Sequence, residues 1–295
     1  MPLEPIPEMM RRARDGGYAV GYFESWNLES LYGVVEAAER ARAPVIIGFN
    51  GEFLSRPERK AAERLSWYGA LGRAAAIDAH VPCGFIFNEC PEDEWTRAAV
   101  TAGFNLVMPA DPAASYEVYL ERVRDLVGYA REHDVAVEAE VGELPAGLPA
   151  FAHGEGEKTD PERARDLVRA TGVDLIAVSV GNVHVSLSGR KALDLDHLKT
   201  IRRVVDAPLV LHGGSGIADD SLRQAIAIGV AKVNYGTVLK QRYLAAVRRA
   251  LSSDEPNPHA LLGMGGAEDV MIAGRGAVRE AVLERLPVLG CAGRA

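Results

Sequence analysis

Eight short apolar runs recur along the chain, each followed by a stretch with helical patterning, and this alternation limits the folds open to it. The runs are "YAVGYF" (18–23), "PVIIGFN" (44–50), "CGFIFNE" (83–89), "FNLVMPA" (104–110), "VAVEAEVG" (135–142), "DLIAVSVG" (174–181), "PLVLHGG" (208–214) and "AKVNYGT" (231–237). Amphipathic stretches such as "NLESLYGVVEAAERA" and "PERARDLVRATG" lie between them. Continuous apolar strands alternating with helices predict a parallel sheet covered on both faces. Eight such units in 295 residues suit a (β/α)8 barrel forming a single domain over 1–295. A doubly wound sheet is the rival, but no Gly-x-Gly-x-x-Gly turn follows the first run. No low-complexity linker marks a domain boundary. The longest irregular stretch, 143–158, follows the fifth strand and in a barrel belongs at the active-site rim. "TDPERA" then reads as a helix start, with Thr159 or Asp160 as cap and Pro161 in the first turn.

At 48% hydrophobic and 25% charged, the chain can bury a large core. A net charge of −8 argues against a nucleic-acid surface. Cys83, Cys90 and Cys291 lack metal-type spacing and cannot all pair, which points to a reduced, cytoplasmic setting. The N-terminal "MPLEPIPEMMRRARDGG" has no apolar core of a signal peptide, and no apolar run of about 18 residues suggests a membrane span.

In a parallel barrel the C-terminal strand ends converge on one rim, where ligands bind. Those ends carry Glu24, Asn50, Asn88 with Glu89, Asp111, Glu138 with Glu140, Asn182 with His184, His212, and Asn234 with Thr237. Two histidines and several carboxylates in one ring suit a divalent metal such as zinc. The stretch "PLVLHGGSGI" (208–217) ends its strand on a histidine, two glycines and a serine. Gly213, Gly214, Ser215 and Gly216 can offer backbone N–H groups to an anion ahead of a helix beginning near Asp219, or can simply make a tight turn. "NYGT" (234–237) supplies a neighbouring loop. Trp26 and Phe49 stand near the rim, as pocket lining or as core.

These residues and their order resemble the class II, metal-dependent fructose-bisphosphate and tagatose-bisphosphate aldolases. The likeness runs from "NLESLYGVVEAAERARAPVII" through "AGFNLVM", "VAVEAEVG", "TDPERA", "LVLHGGSGI" and "KVNYGT" to "GRGAVREAVLERLPVLGCAGRA". It implies a TIM barrel in which zinc held by three histidines polarises a ketose carbonyl and stabilises an enediolate. It also implies an aspartate on strand three that moves the proton, and phosphate-binding loops after strands six to eight, often beside a monovalent cation. Homodimers or homotetramers are the expected assembly. By this resemblance His184 and His212 match two zinc ligands, and Glu140 matches a carboxylate close to the metal. Gly213, Gly214, Ser215, Asn234, Gly236 and Thr237 fall at substrate- and phosphate-binding positions.

The departures concentrate on the chemistry. The family's Asp-His pair is Asn88-Glu89, its strand-one asparagine is Glu24, and its strand-two serine is Asn50. The lysine expected after strand six falls near Ser188, leaving Arg190 or Lys191 to supply its charge. Gly236 stands where an aspartate is often found. His80 lies at the opposite end of strand three. Two readings follow. In the first, Glu89 completes a metal set with His184 and His212, near Glu140. Glu24 becomes the acid/base, with Asn88 as its hydrogen-bonding partner and Asn50 in the catalytic group. Zinc is then the first expectation, with Mn2+ or Mg2+ favoured by the added carboxylate, and the substrate is a sugar phosphate or other anionic ketose. In the second, the protein is a catalytically inactive relative that binds a sugar phosphate in a regulatory role. Glu155 and Glu157 read as solvated loop charges, and Cys90 as a bystander.

Overall fold

The computed structural model describes residues 3–111, 114–142, 158–182 and 189–295. The eight runs form β1 (Val20–Ser25), β2 (Val45–Asn50), β3 (Cys83–Cys90), β4 (Leu106–Pro109), β5 (Ala136–Val141), β6 (Leu175–Val178), β7 (Leu209–Leu211) and β8 (Val230–Tyr235). Each strand pairs with the next, and β8 returns to β1 in parallel register, closing the barrel. The expected single-domain (β/α)8 barrel is the fold found.

The helices are α1 (Ile6–Asp15), α2 (Leu28–Ala41), α3 (Gly51–Ser55), α4 (Leu65–Asp78), α5 (Asp93–Thr101), α6 (Tyr116–Arg131), α7 (Pro161–Thr171) and α8 (Leu195–Val204). They continue with α9 (Asp219–Ile228), α10 (Thr237–Ala250), α11 (Pro258–Leu261), α12 (Val270–Leu283) and α13 (Leu286–Leu289). None of the described helices is long and apolar enough to cross a membrane. Asp160 caps α7 by accepting from the Glu162 and Arg163 N–H groups at 2.8 and 2.9 Å, with Pro161 in the first turn. Thr159 is not the cap. It is buried, and its hydroxyl joins Val141 O to Ser179 N across β5 and β6.

Strand periodicity sorts the side chains. Phe23, Phe49, Phe85 and Phe87 face outward beneath the helices, where Phe49 packs edge-on against Tyr68 at 5.0 Å and Phe85 at 6.0 Å. Phe49 is therefore core and not pocket lining. The alternate positions point into the barrel and hold Tyr22, Glu24, Asn50, Asn88, Glu138, Glu140, Lys232 and Asn234. The N-terminal end of the barrel is plugged: Glu4 N–H donates to Cys83 O at 3.0 Å, and Ile6 reaches in so far that a methyl on Gly84 would lie 2.6 Å from it. Every strand residue is buried except Glu89 and Glu140, so the barrel opens at its C-terminal end onto these two carboxylates.

Candidate active site

His212 leaves β7 fully buried and is surrounded by carboxylates from two other strands. Its Nε2–H donates to Glu138 Oε1 at 3.0 Å. Its Nδ1 faces Glu89 Oε1 at 3.1 Å and Glu140 Oε1 at 3.6 Å. Burial alone would strip the imidazole of its proton. Glu140 and the hydrogen bonds to Glu138 and Glu89 overrule that and raise its pKa to about 10. Glu138, also fully buried, ion-pairs through Oε2 with Lys232 Nζ at 2.8 Å, and Lys232 donates to Asn234 Oδ1 at 2.6 Å. Burial opposes ionisation of Glu138, yet Lys232 and then His212 keep its carboxyl below the usual value.

Glu89 reaches this cluster through an irregularity. The β3–β4 register shifts between Phe87 and Cys90, and Glu89 takes the left-handed conformation at φ 53°. That bulge turns Glu89 inward directly after inward-facing Asn88, which a regular strand forbids. A non-glycine residue held at this φ is strained, as residues at functional sites often are. Asn50 secures it, donating from Nδ2 to Glu89 Oε2 at 2.8 Å while its Oδ1 accepts from Phe53 N at 3.0 Å. Both ends of the Asn50 amide are engaged, which makes it a support for Glu89 and not a group facing substrate. Cys90 turns away, its buried thiol pushed up in pKa by burial.

Glu24 stands across the opening, 8% exposed, and pairs with Lys240 Nζ of α10 at 2.5 Å. Burial raises its carboxyl pKa more than Lys240 lowers it. Lys240 is one-third exposed and lies 4.3 Å from the Phe53 ring centroid and 5.8 Å from that of Trp26. Gly236 makes room for the carboxylate, since a Cβ there would sit 2.3 Å from Glu24 Oε2.

The glycine-rich stretch is a short 3-10 turn over Gly214–Gly216, entered by Gly213 at φ 67°. Gly214 packs so closely on β8 that a Cβ would meet Val233 at 2.7 Å. Ser215 Oγ accepts from Val238 N at 3.3 Å, stitching this turn to the start of α10, where Gly236 and Thr237 lie. Arg190 is tied to Asp219 at 2.6 Å, and the Lys191 backbone bonds Gly216 and Ala218 at 2.8 Å each. The Arg190 guanidinium is thereby engaged at the start of α9. Asn182 serves the backbone, accepting from Val180 N at 2.8 Å and donating to His212 O at 3.1 Å. Asp111 pairs with Arg122 at 3.4 Å. His184, Ser188, Glu155 and Glu157 lie outside the described residues.

Residues 4–294 match the family model described as class II fructose-bisphosphate aldolase. The chain belongs to the class II aldolase family. It is similar to the YdjI aldolase of Escherichia coli K12, at 31% identity over 99% of both chains with a TM-score of 0.83. It is also similar to a putative fructose-1,6-bisphosphate aldolase of Coccidioides immitis, at 25% identity over 99% of this chain and 98% of that one, again with a TM-score of 0.83. The Campylobacter jejuni fructose-bisphosphate aldolase shares the fold at 22% identity and a TM-score of 0.77, over 98% of this chain and 95% of that one.

Class II aldolases are in general divalent-metal enzymes, and the donor chemistry here fits such an ion. Glu138 holds the Nε2 side of His212 so that Nδ1 faces the two partly accessible carboxylates, the arrangement in which an outer carboxylate orients a metal-binding imidazole. Among the described residues no group of three or more His, Cys, Asp or Glu forms a ready cation cage. In the described geometry Glu89 and Glu140 are drawn onto the His212 proton instead. Two lysines of this candidate site have no counterpart among the residues that the sequence singles out. Lys232 carries a signal nonetheless, because a lysine inside the apolar run "AKVNY" must find a buried anion. Lys240 sits on an ordinary helix face and carries none.

Proposed function

We propose that this chain is a divalent-metal-dependent aldolase that reversibly cleaves a ketose phosphate or a related anionic hydroxy-ketone. The observation that carries this is the pairing of two units in one opening. One is the His212, Glu89 and Glu140 donor set, backed by Glu138 and Lys232. The other is the buried, ionisable Glu24 on β1. In this reading the backbone of Gly213, Gly214 and Ser215, with Gly236 and Thr237, receives the phosphate. Asn234 and Asn88 hydrogen-bond the ketose oxygens. Glu24 takes the proton from the hydroxyl on the carbon whose bond breaks. The electron pair of that carbon–carbon bond passes into the ketose half, the aldehyde departs, and the ketose half is reprotonated at carbon. A divalent cation held by His184, His212, Glu89 and Glu140 would supply Lewis acidity at the ketose oxygens, with Zn2+ the first expectation and Mn2+ or Mg2+ favoured by the extra carboxylate. Lys240 keeps Glu24 ionised enough to act as a base. The family reading carries homodimer or homotetramer assembly with it.

The test is elemental mass spectrometry of protein purified without chelator or metal resin, followed by a screen of ketose phosphates for aldehyde release. About one equivalent of metal per chain, lost in Glu89→Ala and His212→Ala, together with turnover, supports the reading. Full metal in Glu89→Ala overturns the ligand assignment. Sugar-phosphate binding without turnover would make the protein the inactive, ligand-binding relative.

A further inference from the structure

Apart from the ion-paired groups of Glu138, Glu140 and His212, three inward-facing polar atoms have no hydrogen-bond partner among the described residues: Tyr22 Oη, Asn88 Oδ1 and Asn234 Nδ2. Their residues are 2%, 3% and 7% exposed. Tyr22 and Asn234 are register partners on β1 and β8, and Asn88 stands on β3 beside Glu89. Lys232, which holds the Asn234 oxygen, lies 5.2 Å from the Tyr22 ring centroid. Carboxylates of Glu24, Glu89 and Glu138 add to burial in keeping the phenol protonated. The phenol is therefore a donor at neutral pH, on the inner face of the strand that carries Glu24.

A buried polar atom without a partner costs about 1–3 kcal/mol, so several on the inner face of one barrel need an explanation. Tyr22 makes the clearest demand. Phenylalanine would fill the same space and keep the contact with Lys232 without the orphaned hydroxyl. Two unpartnered donors and one unpartnered acceptor complement a molecule bearing adjacent carbonyl and hydroxyl oxygens.

We infer that Tyr22 is a substrate-contacting residue whose hydroxyl donates to the carbonyl oxygen of the bound ketose, with Asn234 Nδ2 as a second donor and Asn88 Oδ1 accepting the neighbouring hydroxyl. The inference rests on the aldolase reading above and adds to it a donor on β1. Such a donor gains strength as negative charge builds on that oxygen, so it serves the reaction more than ground-state binding.

The experiment compares the metal-loaded wild type with Tyr22→Phe by thermal melting and calorimetric titration. The probes are dihydroxyacetone phosphate and glycerol 3-phosphate, which differ in the carbonyl. The expected result is an unchanged or higher Tm for Tyr22→Phe without ligand, about tenfold weaker binding of dihydroxyacetone phosphate, and unchanged binding of glycerol 3-phosphate. With a cleavable substrate, kcat falls more than KM rises. Equal affinity of both proteins for dihydroxyacetone phosphate overturns the role of Tyr22. So does a Tyr22→Phe variant that melts several degrees lower or fails to fold, because the hydroxyl would then be structural. Failure of the wild type to bind dihydroxyacetone phosphate overturns the ketose-phosphate form of that reading, and this inference with it.

Discussion

On the proposed reading, Glu24 is a residue costly to the fold and useful to the chemistry. Its folded pKa is raised by burial above the ordinary 4.5, despite Lys240. The folded chain thus holds this proton to higher pH than the unfolded chain does. That contribution to stability is complete below the unfolded value and is lost as pH rises through the folded one. Glu24→Gln stays neutral throughout, so its Tm relative to wild type should rise across that interval in melts from about pH 4 to about pH 8. Over the same substitution, turnover should fall roughly 10²- to 10⁴-fold, the usual worth of a general base. Gly236→Ala should mimic the catalytic loss, because its methyl group displaces the Glu24 carboxylate. The double variant should then be no slower than Glu24→Gln alone, a non-additivity that steady-state kinetics would show. Lys232→Met leaves Glu138 with His212 alone and strips its Oε2 of its ion-pair partner in the interior, and should cost about 3–5 kcal/mol in denaturant unfolding. A gentler loss would mean that Glu138 takes up a proton.

Among the elements, the strands were legible where apolar runs were unbroken and helices followed at once. Their ends were not. The run at 174–181 yields only Leu175–Val178, because Ser179 N turns to the Thr159 hydroxyl and Val180 N to the Asn182 side chain, away from the ladder. β7 stops at Leu211 because Gly213 bends the chain at positive φ. The bulge that aims Glu89 inward has no sequence mark, since "NEC" carries no glycine to announce a left-handed residue. The residue types of the site could be read from the strand ends, but which carboxylate meets which nitrogen depends on that bulge. α1 is a plug whose role is purely structural. Ile6→Ala should cost about 2–5 kcal/mol in chemical denaturation while leaving metal content at the opposite end untouched.

At the scale of the whole molecule, the candidate site belongs to no segment. Its groups come from β1, β2, β3, β5, β7 and β8, and no helix is needed for it except the one carrying Lys240. This is why composition and motif spacing could place the fold and the ring of candidates yet not the pairings: His212 and Glu138 are 74 residues apart. Glu24 and Lys240 are 216 apart and meet across the β1–β8 seam. A chain with all but its final strand in place has helices, most of its sheet and all four of its site carboxylates, but Glu24 then lacks Lys240 and the Gly236 notch that receives it. Catalysis is then a clock for closure. In refolding from denaturant, ellipticity should return first and aldol cleavage later, and the interval between them measures how long the barrel stands open.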